Sequence, residues 1–324
     1  MLPSIIPIAS RGNVVAGEVL QLQFVARIPQ QKLKQSENED LYCYGLCALS
    51  DDIVLFACGT DGLRGLSLKR SKLIPNDIST IKEVYGVAFD LATDTLLLAI
   101  VEWKSDPSFF EKVANFLEMP FSSTRRTLWL TSLQRGTDGW TEVERVQTDL
   151  TCFVGKIMWV GISTMSGSRV LLGGGENRDR LYSIQVSPDH RLHRIGSVDL
   201  ENKVNQFACT REGVDTLVAF SHTNCAVSLH RLAALQLEPL ARVQLSAPSR
   251  LLFLGRLLLV ADWNKKTETH NIVSFATTGG KLTGKRQLIE ATKASALVDE
   301  WCVAGIRLVV RDGNSNDLLL YTPK

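Results

Sequence analysis

The sequence predicts an all-β fold assembled from repeats, and three observations carry that reading. Short apolar segments bounded by Gly, Asp, Asn and Ser run along the whole chain, while helical periodicity occurs in one place only. The segments recur in groups of four. The groups are spaced at about 41–50 residues, with one wider step of about 74, and a four-stranded propeller blade takes about 40–50. The expected architecture is therefore a single domain over residues 1–324, folded as a six-bladed β-propeller of four-stranded blades. A chain of 324 residues exceeds one ordinary compact core. A closed ring avoids that limit because each blade buries its faces against two neighbours.

The repeat is clearest near residue 220, where Val204–Thr210, Asp215–Ser221, Cys225–Leu232 and Leu237–Leu245 read as four successive strands. The next unit repeats them as Ser249–Gly255, Leu257–Asp262, Asn271–Thr277 and Lys285–Ala291. The last has three strands, Leu297–Gly305, Leu308–Asp312 and Leu318–Pro323. Earlier, Met158–Thr164, Val170–Gly174, Tyr182–Val186 and His193–Leu200 form one unit. Val84–Asp90 and Thr95–Val101 open another. Tyr44–Leu49, Ile53–Cys58 and Gly65–Lys69 open the first. The second strand aligns best: Thr95-Leu-Leu-Leu, Arg169-Val-Leu-Leu, Thr216-Leu-Val-Ala, Arg256-Leu-Leu-Leu and Ile306-Arg-Leu-Val each precede a polar turn. Such a continuous apolar run suits a strand covered on both faces.

The last unit lacks a fourth strand, and residues 17–28 are the candidate to supply it. Leu20-Gln-Leu-Gln-Phe-Val-Ala-Arg-Ile alternates, and it repeats the outer strand Leu235-Gln-Leu-Glu-Pro-Leu-Ala-Arg-Val at Leu20, Leu22, Ala26 and Arg27. The wide step holds an insertion over residues 105–126 that reads as the chain's one helix. Asp106 caps it, Pro107 fits its first turn, and Phe109, Phe110, Val113, Phe116 and Leu117 share an apolar face before Pro120 stops it. This helix is expected either to dock a partner or to pack on its own propeller.

Composition narrows the function. The formal net charge is +2, from 36 basic and 34 acidic residues, with no basic stripe, so nucleic-acid binding is not expected. No stretch approaches about 20 apolar residues, so no membrane span is expected. Met1–Ala16 lacks the basic start of a secretory signal. The seven cysteines form no zinc-ligand spacing and read as small buried residues in a reducing compartment. The expected protein is intracellular, cytoplasmic and a monomeric ring.

The blade phrase Leu257-Leu-Leu-Val-Ala-Asp-Trp-Asn followed by Asn271-Ile-Val-Ser-Phe resembles that of NHL and YWTD-type members of the β-propeller superfamily, and the resemblance covers roughly residues 17–324. The chain departs from WD-repeat proteins, because no blade ends in Trp-Asp. It also lacks the sialidase Asp box and the kelch double glycine, and its Gly173-Gly174-Gly175 run is not repeated. Propellers host many functions, so the fold alone assigns none.

A polar phrase follows each second strand: Glu102-Trp103, Glu176-Asn177, His222-Thr-Asn224, Asp262-Trp-Asn264 and Asp312-Gly-Asn314. In a propeller these turns share one face near the channel mouth. One reading is a binding surface for a protein or peptide, without a cofactor. The alternative is a hydrolase of lactonase or phosphoesterase type, holding Ca²⁺ or another divalent cation in the channel, as resemblance to gluconolactonase-like six-bladed propellers implies. A third is that Asp and Asn simply cap their own turns. No Gly-x-Ser-x-Gly, P-loop or His-Glu-x-x-His motif is present, so no catalytic residue is assigned.

Overall fold

The computed structural model describes residues 22–33, 42–74, 81–103, 125–137, 139–153, 160–165, 168–174, 180–201, 203–212, 215–266, 268–289 and 298–323. Among them are 24 strands in six four-stranded antiparallel sheets. Strand β1 is Leu22–Ile28. Blade 1 holds β2 (Gly45–Ala48), β3 (Ile53–Ala57), β4 (Leu63–Ser67) and β5 (Lys72–Ile74). Blade 2 holds β6 (Val84–Asp90), β7 (Thr95–Trp103), β8 (Arg125–Gly136) and β9 (Gly139–Phe153). Blade 3 holds β10 (Val160–Met165), β11 (Arg169–Gly174), β12 (Arg180–Val186) and β13 (Leu192–Asp199). Blade 4 holds β14 (Val204–Glu212), β15 (Asp215–His222), β16 (Ala226–Ala233) and β17 (Gln236–Gln244). Blade 5 holds β18 (Pro248–Leu254), β19 (Leu257–Asn264), β20 (Thr269–Ala276) and β21 (Thr283–Ile289). Blade 6 holds β22 (Val298–Ala304), β23 (Arg307–Asp312) and β24 (Leu318–Pro323).

The first strand of each blade touches the first strands of the blades before and after it, and β22 returns to β2. The chain is a six-bladed β-propeller. Its core is not one cluster but six, each filling the space between two blades. Leu97 and Val101 of β7 meet Leu172 and Tyr182 across the junction of blades 2 and 3. Leu259 and Ile272 meet Trp301 and Val310 across the junction of blades 5 and 6. This explains the unbroken apolar second strands. Leu96, Leu97, Leu98 and Ala99 are all fully buried because alternate side chains serve opposite interfaces.

Blade 6 receives its fourth strand from the start of the chain. Strand β1 runs antiparallel to β24, from Leu22 opposite Pro323 to Ile28 opposite Leu318, with a bulge between Phe24 and Ala26. Ile28 and the following Leu33 are each 1% exposed and belong to the cluster between blades 6 and 1. Asp317 takes the Arg27 guanidinium on one oxygen and accepts the Gln30 backbone N–H at 2.7 Å on the other.

Some sequence expectations need correction. The expected helix, with Phe109, Phe110, Val113, Phe116 and Leu117, lies outside the described residues. The insertion was drawn too long, because Arg125 and Arg126 already belong to β8. Among the described residues the helical content is two three-residue 3₁₀ turns, Gln30–Lys32 and Thr278–Gly280. The phrases Glu102-Trp103 and Asp262-Trp263-Asn264 are not turns but the ends of β7 and β19. Gly173 also acquires a reason. A Cβ there would lie 2.5 Å from Leu181 and 3.0 Å from the Phe207 ring, so glycine lets blade 4 close onto blade 3.

Candidate functional site

The innermost strands all start at one face, and the second strands end there. Val84, Val204, Pro248 and Val298 open their strands opposite Ile100, His222, Asp262 and Asp312. In all four blades the pairing register shifts directly after that first residue, at Tyr85, Asn205, Ser249 and Asp299. A bulge at this point bends the strand and re-aims its side chains. The repeated bulge therefore shapes the face at the channel mouth.

The sequence-predicted residues on this face are mostly engaged with the fold. Asp262 is buried and accepts the Ala247 N–H at 2.8 Å. Asp312 is buried and takes the Asn314 N–H at 3.1 Å and the Ser315 hydroxyl at 2.7 Å. Asn264 accepts the Lys266 N–H at 3.0 Å. Glu102 pairs with Arg145. Trp263 packs edge-on against His270, ring centroids 5.2 Å apart. Asn224 is exposed and its carbonyl accepts from Gln244. His222 alone turns toward a cleft. Trp103 ends β7, and Glu176 and Asn177 lie outside the described residues.

Sequence reasoning missed a polar sector linking blades 4, 5 and 6. The Gln206 side-chain amide oxygen, Oε1, accepts the Leu251 N–H at 2.5 Å. Arg250 reaches Glu300 at 3.1 Å and donates to the Asp299 carbonyl. Arg311, with a side chain only 4% exposed, holds the Asp299 carboxylate and the Asn316 amide. Burial pushes the Glu300 carboxyl up to about 7, against the pull of Arg250. A signal existed in Val204-Asn-Gln, Pro248-Ser-Arg and Val298-Asp-Glu, where an apolar residue precedes two polar ones at each bulge.

His270 shows how a propeller uses a structural histidine. Its Nδ1 accepts the Val298 N–H at 2.9 Å, which leaves Nε2–H to donate to Ser249 Oγ at 2.9 Å. Burial, and secondarily Arg250, lowers its pKa from 6.5 to about 4. The folded ring is thus depressed relative to the unfolded one, so the unfolded chain binds the proton first as pH falls. The neutral ring's contribution is present above about pH 6.5 and is lost toward pH 4, on the order of 1–2 kcal/mol by pH 5. Glu300 works in the opposite sense between about 7 and 4.5, so the variant difference is the clean readout. Between pH 7 and pH 5, His270→Gln should lose less melting temperature than the unaltered protein does. Equal losses would show that this ring does not titrate as described.

No protein-family model matches the sequence, and no curated protein matches it. Solved structures do match in fold. A candidate 6-phosphogluconolactonase from Bacteroides fragilis aligns with a TM-score of 0.56 at 11% identity, covering 89% of this chain and 82% of its own. A DUF4623 family protein from Bacteroides eggerthii aligns with a TM-score of 0.52 at 10% identity, covering 87% and 70%. The β-propeller domain of Cps50 (Swd1) from Myceliophteria thermophila gives 0.49 at 13% identity, covering 88% and 85%. Likeness at this identity concerns the fold alone.

Proposed function

We propose that the protein is a binding module that engages a protein or peptide through the face where the innermost strands begin. The observation that carries this is a set of aromatic side chains on that face. Tyr42, just ahead of β2, is 57% exposed. Tyr44 and Tyr85 pack at a tilt with centroids 4.8 Å apart and are half-buried, as is Trp263. Anchored aromatic residues are the usual energetic centres of protein interfaces. The carboxylates around them are held by backbone caps and arginines, so the surface is preformed and binding need not order it. Strand β7 ends on the same face, where the insertion begins. The reading requires no divalent ion, and melts with Ca²⁺, Zn²⁺ or Mn²⁺ should superimpose on a chelator control.

The test is quantitative enrichment with three proteins: the unaltered chain, Tyr42→Ala/Trp263→Ala, and Leu91→Ala/Ile306→Ala. The last pair sits on turns at the opposite face and is 49% and 75% exposed. A partner kept by the first and third proteins and reduced at least about tenfold by the second would support the reading, since two lost anchors cost more than about 1.4 kcal/mol. A partner lost only from the opposite-face variant would refute it.

A further inference from the structure

The bulges at the starts of blades 4, 5 and 6 carry Asn205, Ser249 and Asp299, but those of blades 1 and 2 carry tyrosines. Tyr85 is the bulged residue of β6. Tyr44 holds the matching place ahead of β2, where its N–H donates to the Ala57 carbonyl at 2.8 Å. Gly59 and Val84 exchange two backbone hydrogen bonds, of 2.7 and 2.9 Å. These pin the chain just past β3 to the start of β6 and draw the two bulges together. The rings of Tyr44 and Tyr85 consequently meet at 4.8 Å, with 51° between their planes. Gly59 makes room for the first, since a Cβ there would lie 2.7 Å from Tyr44 Cε2. Tyr85 leans on the core between blades 2 and 3. Both rings are thus backed by protein, and both keep part of their surface in solvent.

A third ring and a carboxylate complete the corner. Tyr42 lies two residues before Tyr44 and is 57% exposed. Glu83, half-buried, accepts the Tyr85 hydroxyl at 3.0 Å. Burial raises the Tyr44 pKa. The Tyr42 phenol and the Glu83 and Asp61 carboxylates raise it further, while Arg311 lowers it, so all four groups lie within electrostatic reach of the Tyr44 hydroxyl. The two arginines nearby have carboxylates of their own. Arg64 faces Asp61 at 3.8 Å, and Arg311 holds Asp299. Lys82 is exposed beside Glu83.

The chemistry of the corner selects its occupant. The face of an aromatic ring is electronegative and attracts a cation. An apolar group would cover the Glu83 carboxylate without compensating it, and an anion would meet it directly. A cation satisfies rings and carboxylate together. One Glu83 oxygen is already taken by the Tyr85 hydroxyl, so a compact ammonium suits it better than a two-pronged guanidinium.

We propose that this corner between blades 1 and 2 receives a lysine side chain of the partner, its ammonium against the rings of Tyr42, Tyr44 and Tyr85 and within reach of the Glu83 carboxylate. The inference rests on the ring-face reading and adds the chemistry of what docks there.

The probes are blocked pentapeptides of glycine with lysine, norleucine, arginine or glutamate at the centre, titrated into the full chain carrying ¹³C-labelled tyrosine. The chain has five tyrosines, and Tyr182 and Tyr321, 1% and 5% exposed, serve as internal controls. The lysine peptide should move the ring signals of Tyr42, Tyr44 and Tyr85 and leave the other two in place. Norleucine has a similar chain without the charge and should bind about tenfold more weakly. Glutamate should be weaker still, and arginine no tighter than lysine. Tyr42→Leu should erase the preference for lysine over norleucine, and Tyr42→Phe should retain it. Equal affinity for the lysine and norleucine peptides, tighter binding of arginine or glutamate, or three unmoved tyrosine signals would each overturn the inference. These outcomes are read on the unaltered protein, so they decide the matter whatever the variants do. If they occurred while Tyr42→Ala/Trp263→Ala still lost the enriched partner, this inference alone would fall. If that variant kept the partner, the wider reading would fall with it.

Discussion

A chain lacking its first 28 residues should aggregate or remain unfolded under conditions in which the full chain gives a cooperative melt. Three losses combine. The outer edge of β24 becomes an unpaired row of backbone groups from Leu318 to Thr322, a template for other chains. Ile28 leaves the cluster between blades 6 and 1, where emptying a buried aliphatic position costs about 2–5 kcal/mol. Asp317 loses Arg27, and the strand that positions Gln30 and Leu33 is gone. Against a total stability of about 5–15 kcal/mol these losses are decisive. Light scattering after size exclusion, together with a thermal melt, reads the outcome. A monomeric truncation with an unchanged midpoint would show that the ring closes without β1. Ile28→Ala offers a graded version, with an expected loss of about 2–4 kcal/mol.

The second large effect is expected at Arg311. Its guanidinium is buried and holds Asp299 and Asn316, beside Glu300 and Arg250. Arg311→Met keeps much of the side-chain volume and removes the charge. Asp299 then loses its closest cation, in a sector where Glu300 already resists ionisation. Breaking a buried pair costs about 3–5 kcal/mol, and the 31% exposure of Asp299 places the expected loss near the lower end. Denaturant unfolding should show it as a lower midpoint, and adding Asp299→Asn should restore part of the loss. The same charge removal at Arg180, whose pair with Asp199 is exposed on both sides, should shift the midpoint far less. Similar losses at Arg180 and Arg311 would contradict this account.

The fold was legible wherever burial leaves a periodic mark. The second strands at Leu96, Leu171, Leu217, Leu258 and Leu308 announced themselves because both faces are covered, so no polar residue interrupts them. The outer pair of blade 2 was not legible. Strand β9 carries Glu142, Glu144 and Arg145, and among its described side chains only Thr148 is buried, so it lacks the apolar mark of a core strand. Strand β5 has only three residues, too few for any pattern. Asp262 and Asp312 were read as turn caps or as groups of a binding face, and their carboxylates accept backbone N–H groups. His222 stood out, but its partner His230 is eight positions on, across a hairpin that only pairing brings together. The cluster of Arg250, Asp299 and Arg311 was missed because the apolar-polar-polar signal at each strand start does not say which side chains the bulges of two different blades bring together.

The pairing of β1 with β24 sets a schedule for synthesis. Arg27 meets Asp317 across 290 positions of chain. A ribosome must therefore deliver the chain through β24 before the first strand finds its place. Until then the nascent chain is an open arc, with blades stacked in order and nothing joining its two ends. Closing so long a loop carries an entropic penalty and favours slow folding. The final zip of the first strand onto the last should be the late step that turns a string of neighbouring couplings into one all-or-none unit.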